Sequence, residues 1–450
     1  MIRERTLRAN SLSSLLASGG VFGITLALSA VLARLIVAAD FQTYATAAAF
    51  LPLALLLSQS LRSCAGSALI VAMQRAEPGD VVRAYRRIVL IVTLLTITCG
   101  AGIIELVRYF GLVDNFNASL LPFGLYCILI NVSGMGLSLL VTGPAAASED
   151  FLPDNLLKLG PQALMLVGFL AILATAPDGP LQWIFITVAA SPWPVMAWLL
   201  LRYRKAVAMW FESRRQVDIM ASDFLESRGI ARFLTASLAS VGWWNMTAYF
   251  ATSVTVAVVA LALPGDVVAF TMAFSLIGVI SGGLVAVSAP LASRVALIPL
   301  GDFSARVAAF RRFNGYCILY ILAVALFILA VPTRIYELWV GMQYGADVRS
   351  ALLLLLPATV LRLQTMCFAL FVMSVGRQST LWLSPLAEAV VATSASFLLA
   401  SVLGLTGVAA ALAFSAIVRL FLTLTHDLRL NQDLFPIGWK DVLLPVRASS

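Results

Sequence analysis

Long apolar runs and short polar breaks alternate along all 450 residues. Twelve of the runs are long enough to cross a hydrocarbon layer of about 30 Å as helices. They fall at roughly 12–37, 43–73, 88–110, 118–141, 156–176, 181–201, 232–261, 267–293, 313–332, 350–375, 380–402 and 405–425. The breaks carry turn chemistry, as in Ala176-Pro177-Asp178-Gly179-Pro180 and Leu263-Pro264-Gly265-Asp266. A membrane barrel would show short segments of alternating polarity instead. The pattern predicts an all-α polytopic membrane protein with about twelve transmembrane helices.

The longest basic break, 202–231, divides these spans six and six. The expected organisation is an N-terminal lobe (1–201), a linker (202–231), a C-terminal lobe (232–425) and a tail (426–450). The halves resemble each other weakly. Ala17-Ser18-Gly19-Gly20-Val21-Phe22-Gly23-Ile24-Thr25 aligns with Ala239-Ser240-Val241-Gly242-Trp243-Trp244-Asn245-Met246-Thr247. Ala45-Thr46-Ala47-Ala48-Ala49-Phe50 aligns with Ala269-Phe270-Thr271-Met272-Ala273-Phe274. Each half has an even number of spans, so both halves start on the same side. That makes the repeat parallel, an arrangement in which a transporter's substrate site lies between the halves.

Composition strengthens the membrane reading. The chain is 61% hydrophobic and only 12% charged, with a mean hydropathy of +0.96; soluble domains are near a quarter charged. With both termini inside, inner segments hold 23 of the 30 basic residues and outer loops only Arg108, Arg334 and Arg349. The net charge of +8 is therefore the positive-inside signature and needs no nucleic-acid partner. Both termini are expected on the cytoplasmic side. Cys64, Cys99, Cys127, Cys317 and Cys367 all fall in apolar segments, spaced unlike a disulfide or zinc framework. His426 is the only histidine. No metal cluster or Gly-rich nucleotide loop is visible, and no cofactor is expected.

Four arginines remain inside spans: Arg34, Arg62, Arg362 and Arg419. Glu388 is the only acid well inside a span. A central charge costs about 2.5–3.5 kcal/mol on insertion scales, so each needs an ion pair, a snorkelling path or a hydrated cavity. Glu388 and Arg419 stand 16 and 15 residues either side of Gly404, at nearly equal depth on antiparallel helices. They are an expected ion pair, and Glu388 is the candidate site for coupling to a proton or a sodium ion. Arg34, near an outer turn, has a snorkelling route. Arg62 and Arg362 have none.

Arg62 belongs to the polar stripe Gln59–Arg62–Ser63–Gly66, on one helical face. Similar stripes hold Asn245 and Tyr249 in the seventh span, and Thr271 and Ser275 in the eighth. Small polar residues also serve as helix-packing contacts. Several stripes with arginines that lack an obvious acid favour a hydrated, cationic cavity lined by Gln59, Ser63, Asn245, Tyr249 and Ser275. Arginine suits such a site because its fork pairs bidentately with phosphate or carboxylate.

Short stretches resemble bacterial polysaccharide flippases of the multidrug/oligosaccharidyl-lipid/polysaccharide exporter superfamily. They are Leu32-Ala33-Arg34-Leu35-Ile36 with Asp40-Phe41-Gln42-Thr43-Tyr44-Ala45, then Trp339-Val340-Gly341-Met342-Gln343-Tyr344-Gly345-Ala346, then Leu403-Gly404-Leu405-Thr406-Gly407-Val408-Ala409-Ala410-Ala411. Gln42 stands where the family often has glycine. The resemblance implies flipping of an undecaprenyl-diphosphate-linked oligosaccharide across the bacterial cytoplasmic (inner) membrane by alternating access. It also implies work beside polysaccharide polymerase machinery, as in lipopolysaccharide or exopolysaccharide synthesis. The role of cavity arginines in holding the diphosphate maps by depth onto Arg62 and Arg362, with Arg34 and Arg419 as further candidates.

Two other functions compete. A multidrug exporter of organic cations would want cavity acids, whereas in-span arginines outnumber the mid-span glutamate four to one. A membrane glycosyltransferase or polymerase needs a sizeable outer loop with reactive groups. The longest outer loop, 331–350, has only Glu337 and Asp347 as acids.

Overall fold

The computed structural model describes the chain except residues 1, 52–53, 55–57, 59–68, 70–77, 110–119, 148–151, 176–178, 214–226, 297, 299–301, 375–376, 434–435 and 445–450. Among the described residues there are helices and no strands. Packing divides the chain into two compact units, Met1–Met246 and Thr247–Ser450.

The first unit holds α1 (Ile2–Leu35), α2 (Ala38–Ala49), α3 (Pro78–Tyr109), α4 (Leu120–Ala147), α5 (Leu152–Thr175), α6 (Pro180–Ala190) and α7 (Pro192–Ser213). It also takes the start of α8 (Ser227–Ala262). The hub is α4, which packs against α2, α3, α5, α6 and α7. Its sequence is apolar on every side, the pattern of a helix surrounded by others. Close approach is made possible at Gly143, where a Cβ would lie 2.1 Å from the Tyr85 hydroxyl. That hydroxyl donates to the Leu139 carbonyl at 3.0 Å. Tyr85, Val81, Val89, Leu139, Ile230 and Leu234 form one apolar cluster.

The sixth expected span is broken into α6 and α7 at Ser191, and proline is the cause. Pro192 has no N–H to offer the Val188 carbonyl one turn back. Asn131 of α4 donates to that carbonyl instead, at 2.6 Å, and also to Ser191 Oγ at 3.2 Å.

The second unit holds the rest of α8, then α9 (Val267–Ala296), α10 (Phe303–Ala330), α11 (Thr333–Val340), α12 (Met342–Ser374), α13 (Leu383–Leu422), α14 (Leu428–Leu430) and α15 (Trp439–Leu443). Its hub is α12, packed against α9, α10, α11 and α13. The hubs α4 and α12 carry the fourth and tenth expected spans, the same position in each half, as a parallel repeat requires. Phe310, Phe313, Phe368 and Phe371 interlock between α10 and α12.

Eight described helices are long and apolar enough to cross a membrane, the longest continuous helical stretch being Ser379–Leu430. That stretch is a hairpin of two spans. Gly404 turns it with φ 60° and ψ −142°, a conformation only glycine adopts readily. Two contacts across the hairpin, Glu388 with Arg419 and Ser384 with Asp427, show its arms running antiparallel.

Three segments are more helical than the hydropathy pattern suggests. The helix of the sixth span runs on to Ser213 and the next begins at Ser227, so both ends of 202–231 are helical. The segment 331–350, an expected outer loop, folds into the short helix α11 and the start of α12. At the other end, α10 starts at Phe303, ten residues before its apolar core, because Asp302 caps it by accepting the Ala305 N–H at 3.0 Å. The tail beyond 426 also folds back: a π turn at Thr423–Asp427 leads through α14 to α15, which packs on α10 and α12.

Candidate functional site: one carboxylate between two arginines

Three charged residues of the second unit's interior meet at one point. Helix α12 presents Arg362, the first arm of α13 presents Glu388, and the second arm presents Arg419. Arg362 Nε donates to Glu388 Oε1 at 2.5 Å, and Arg419 Nη1 donates to Glu388 Oε2 at 2.6 Å. Glu388 is 1% exposed and Arg419 is 7% exposed, while the Arg362 side chain keeps 16%. The carboxylate is thus engaged at both oxygens, and Arg362 is the most exposed member of the trio.

Charge does not balance inside the trio. Two permanently charged guanidiniums share one carboxylate, leaving a formal excess of +1. Arg362 Nη2 and Arg419 Nε are buried and have no hydrogen-bond partner among the described residues. Unmet donors on a buried cation are costly, and a bound anion is the group that satisfies both the charge and the donors. Thr359 and Thr365, beside Arg362 on α12, turn their hydroxyls onto helix carbonyls and leave those donors unmet.

Arg362, expected from the sequence to lack an acid, is instead a full partner of Glu388. Depth about Gly404 marks only the Glu388–Arg419 pair; Arg362 reaches Glu388 from the preceding helix, across the longer connection between α12 and α13.

The remaining candidates are not gathered at this point. Arg34 is exposed in the last turn of α1. Arg62, Gln59 and Ser63 lie outside the described residues, as do the side chains of Asn245 and Tyr249 on α8. Ser275 is half-buried on α9 and donates to the Thr271 carbonyl of its own helix at 2.8 Å. No group of three or more metal-ligating side chains occurs among the described residues.

This architecture defines a polytopic α-helical membrane protein of two units, each packed round a buried hub helix. No family model matches the sequence, and no curated protein matches it. Solved structures share its fold. A MATE transporter in its straight conformation matches with a TM-score of 0.66 and 17% identity, over 95% of this chain and 96% of that one. The lipid II flippase MurJ, inward closed, matches at 0.65 and 14% identity, over 95% and 88%. A MOP-superfamily transporter from Pyrococcus furiosus Vc1, described by the reverse polarity of its binding pocket, matches at 0.61 and 15%, over 95% and 96%. The fold is therefore the twelve-helix, two-lobe fold of MOP-superfamily transporters and flippases.

Proposed function

We propose that this chain is a flippase of lipid-linked oligosaccharide, moving an undecaprenyl-diphosphate-linked sugar from the inner to the outer leaflet of the bacterial cytoplasmic membrane. The observation that carries this reading is the buried excess of arginine over carboxylate at Arg362–Glu388–Arg419, with donors left over. A site of that sign repels organic cations and fits a diphosphate. The fold shared with the lipid II flippase MurJ supports a lipid-linked cargo. Arg362, the most exposed member of the trio, is the residue an arriving anion meets first; Arg62 and Arg34 are the corresponding candidates in the first unit. Glu388 holds the arginines apart until the cargo competes for their N–H groups, and it is the candidate group for coupling to a proton or sodium ion.

The test is export of the polysaccharide, or outer-leaflet accumulation of its lipid-linked precursor, in cells carrying substituted protein. Arg362→Ala is expected to abolish export at normal protein level, and Arg362→Lys to restore part of it, since lysine keeps the charge and loses the fork. Normal export by Arg362→Ala and by Arg62→Ala would end the anion-cavity reading. Drug efflux by the unsubstituted protein would favour the exporter alternative.

A further inference from the structure

The tail of the chain is built into the helix bundle by one face and leaves the other open. Gly438–Leu444 is held from within: Arg311 Nε donates to Asp441 Oδ1 at 2.8 Å, and buried Asn314 donates to the Asp441 and Val442 carbonyls at 2.8 and 2.9 Å. Gln364 of α12 donates to the same Val442 carbonyl. The Gly438 N–H donates to Asp441 Oδ2 at 2.9 Å, and Ile437 and Val442 are buried. A second clamp lies just upstream, where Arg377 pairs bidentately with Asp433.

These contacts fix the depth of the segment. In α10, charge stops at Arg311 and Arg312, and from Phe313 to Ala330 there is none. The Arg311–Asp441 pair therefore sets α15 at the boundary between headgroups and hydrocarbon. At that same end of the unit, Tyr316 on α10 and Trp382 before α13 are about half exposed. Exposed aromatics near the charged end of a span are the mark of a membrane-interface belt. Trp439, 54% exposed, continues the belt, with Lys440 Nζ 5.5 Å from the centre of its ring and Leu444 half exposed beside it. Lys440, Arg429 and Arg312 are exposed cations near this end; of the exposed acids there, Asp433 is paired with Arg377 and Asp302 caps α10.

We propose that Gly438–Leu444 is a membrane-interface anchor whose outer face, Trp439 and Lys440, seats among anionic phospholipid headgroups. Its buried face braces α10 and α12, so the lipid contact is made by a preorganised platform and costs little ordering. Each cation near an anionic surface adds to such binding.

The test uses the full-length protein in lipid nanodiscs. The chain has 9 tryptophans, so the signal of Trp439 is taken as the difference between the unsubstituted protein and Trp439→Phe. The expected result is quenching of that component by phospholipid with a shallow nitroxide and protection from aqueous iodide. Anionic nitroxide lipid should quench it more than zwitterionic, and the preference should vanish in an Arg429→Gln, Lys440→Gln variant. Quenching by iodide alone would place Trp439 in water and overturn the anchor. Protection from both quenchers would mean that protein covers it, which overturns the anchor as well. Equal quenching by both lipids would overturn the anionic part.

Discussion

The trio at Glu388 makes an ordered prediction about charge. In the unsubstituted protein the formal charge of the trio is +1. Arg362→Ala brings it to zero and leaves Glu388 with Arg419. Arg419→Ala does the same and leaves Arg362. Glu388→Gln raises it to +2 and turns an amide N–H₂ towards one of two guanidiniums that can only donate. Removing one partner of a buried pair costs about 3–5 kcal/mol because it strands the other charge. Glu388→Gln strands two, at side-chain exposures of 9% and 16%. The two costs are not additive, since both pass through one carboxylate. A loss of at least about 3–5 kcal/mol remains, a large part of the 5–15 kcal/mol that holds a typical protein folded. The arginine variants should lose less, and Arg362→Ala least, because its side chain is the more exposed and its removal neutralises the site. Thermal unfolding of purified protein in one detergent, with a gel-filtration profile as a check, gives the order. The expected ranking of melting temperature is unsubstituted, then Arg362→Ala, then Arg419→Ala, then Glu388→Gln. A Glu388→Gln protein as stable as the unsubstituted one would refute the charge accounting. In that case Glu388 would already be protonated in the fold, and the arginines would be held by something else.

Two further outcomes rest on single positions. Gly404→Ala places a Cβ at φ 60° and ψ −142°, a region that costs a non-glycine residue of order 1–3 kcal/mol; melting temperature should fall, and an unchanged value would mean the hairpin turns elsewhere. The carboxyl of Asp302 is held below its ordinary value, chiefly by the Ala305 N–H and then by the Ser304 hydroxyl. A lowered pKa means the cap's contribution is complete above the ordinary carboxylate range and is lost as pH falls through the folded value. The stability gap between the unsubstituted protein and Asp302→Ala should therefore narrow on acidification, and a gap independent of pH would contradict the cap.

Much of the architecture is legible because the membrane restricts the options. A backbone in hydrocarbon must satisfy its own hydrogen bonds, so a long apolar run has one conformation available to it. Every expected span carries helix among the described residues, though the second lies mostly outside them. Depth is legible for the same reason. Helices crossing one slab rise at a fixed rate, so residues equidistant from a turn sit level. That rule, applied about Gly404, brings Glu388 to Arg419, while the contact with Arg362 becomes visible only in the structure. The rule succeeds on charges because a buried charge has few acceptable neighbours, and the only mid-span acid must serve.

The rule fails where the partner has no sequence signature. Asn314 and Gln364 read as polar residues in apolar helices, equally suited to a cavity wall or to helix packing. Their partners are the backbone carbonyls of Asp441 and Val442, and every residue has a carbonyl. The tail itself, Gly438-Trp439-Lys440-Asp441-Val442-Leu443, is too short to show helical periodicity and reads as an ordinary polar end. What makes it a structural element is the match of Asp441 to Arg311, far apart along the chain, together with burial of Ile437 and Val442 in a place hydropathy does not locate. The same holds for Asn131, whose role becomes visible only beside Pro192. Proline frees a particular carbonyl; Ser191 Oγ donates to it from within the helix at 3.1 Å, while Asn131 is brought to it only by packing between two helices.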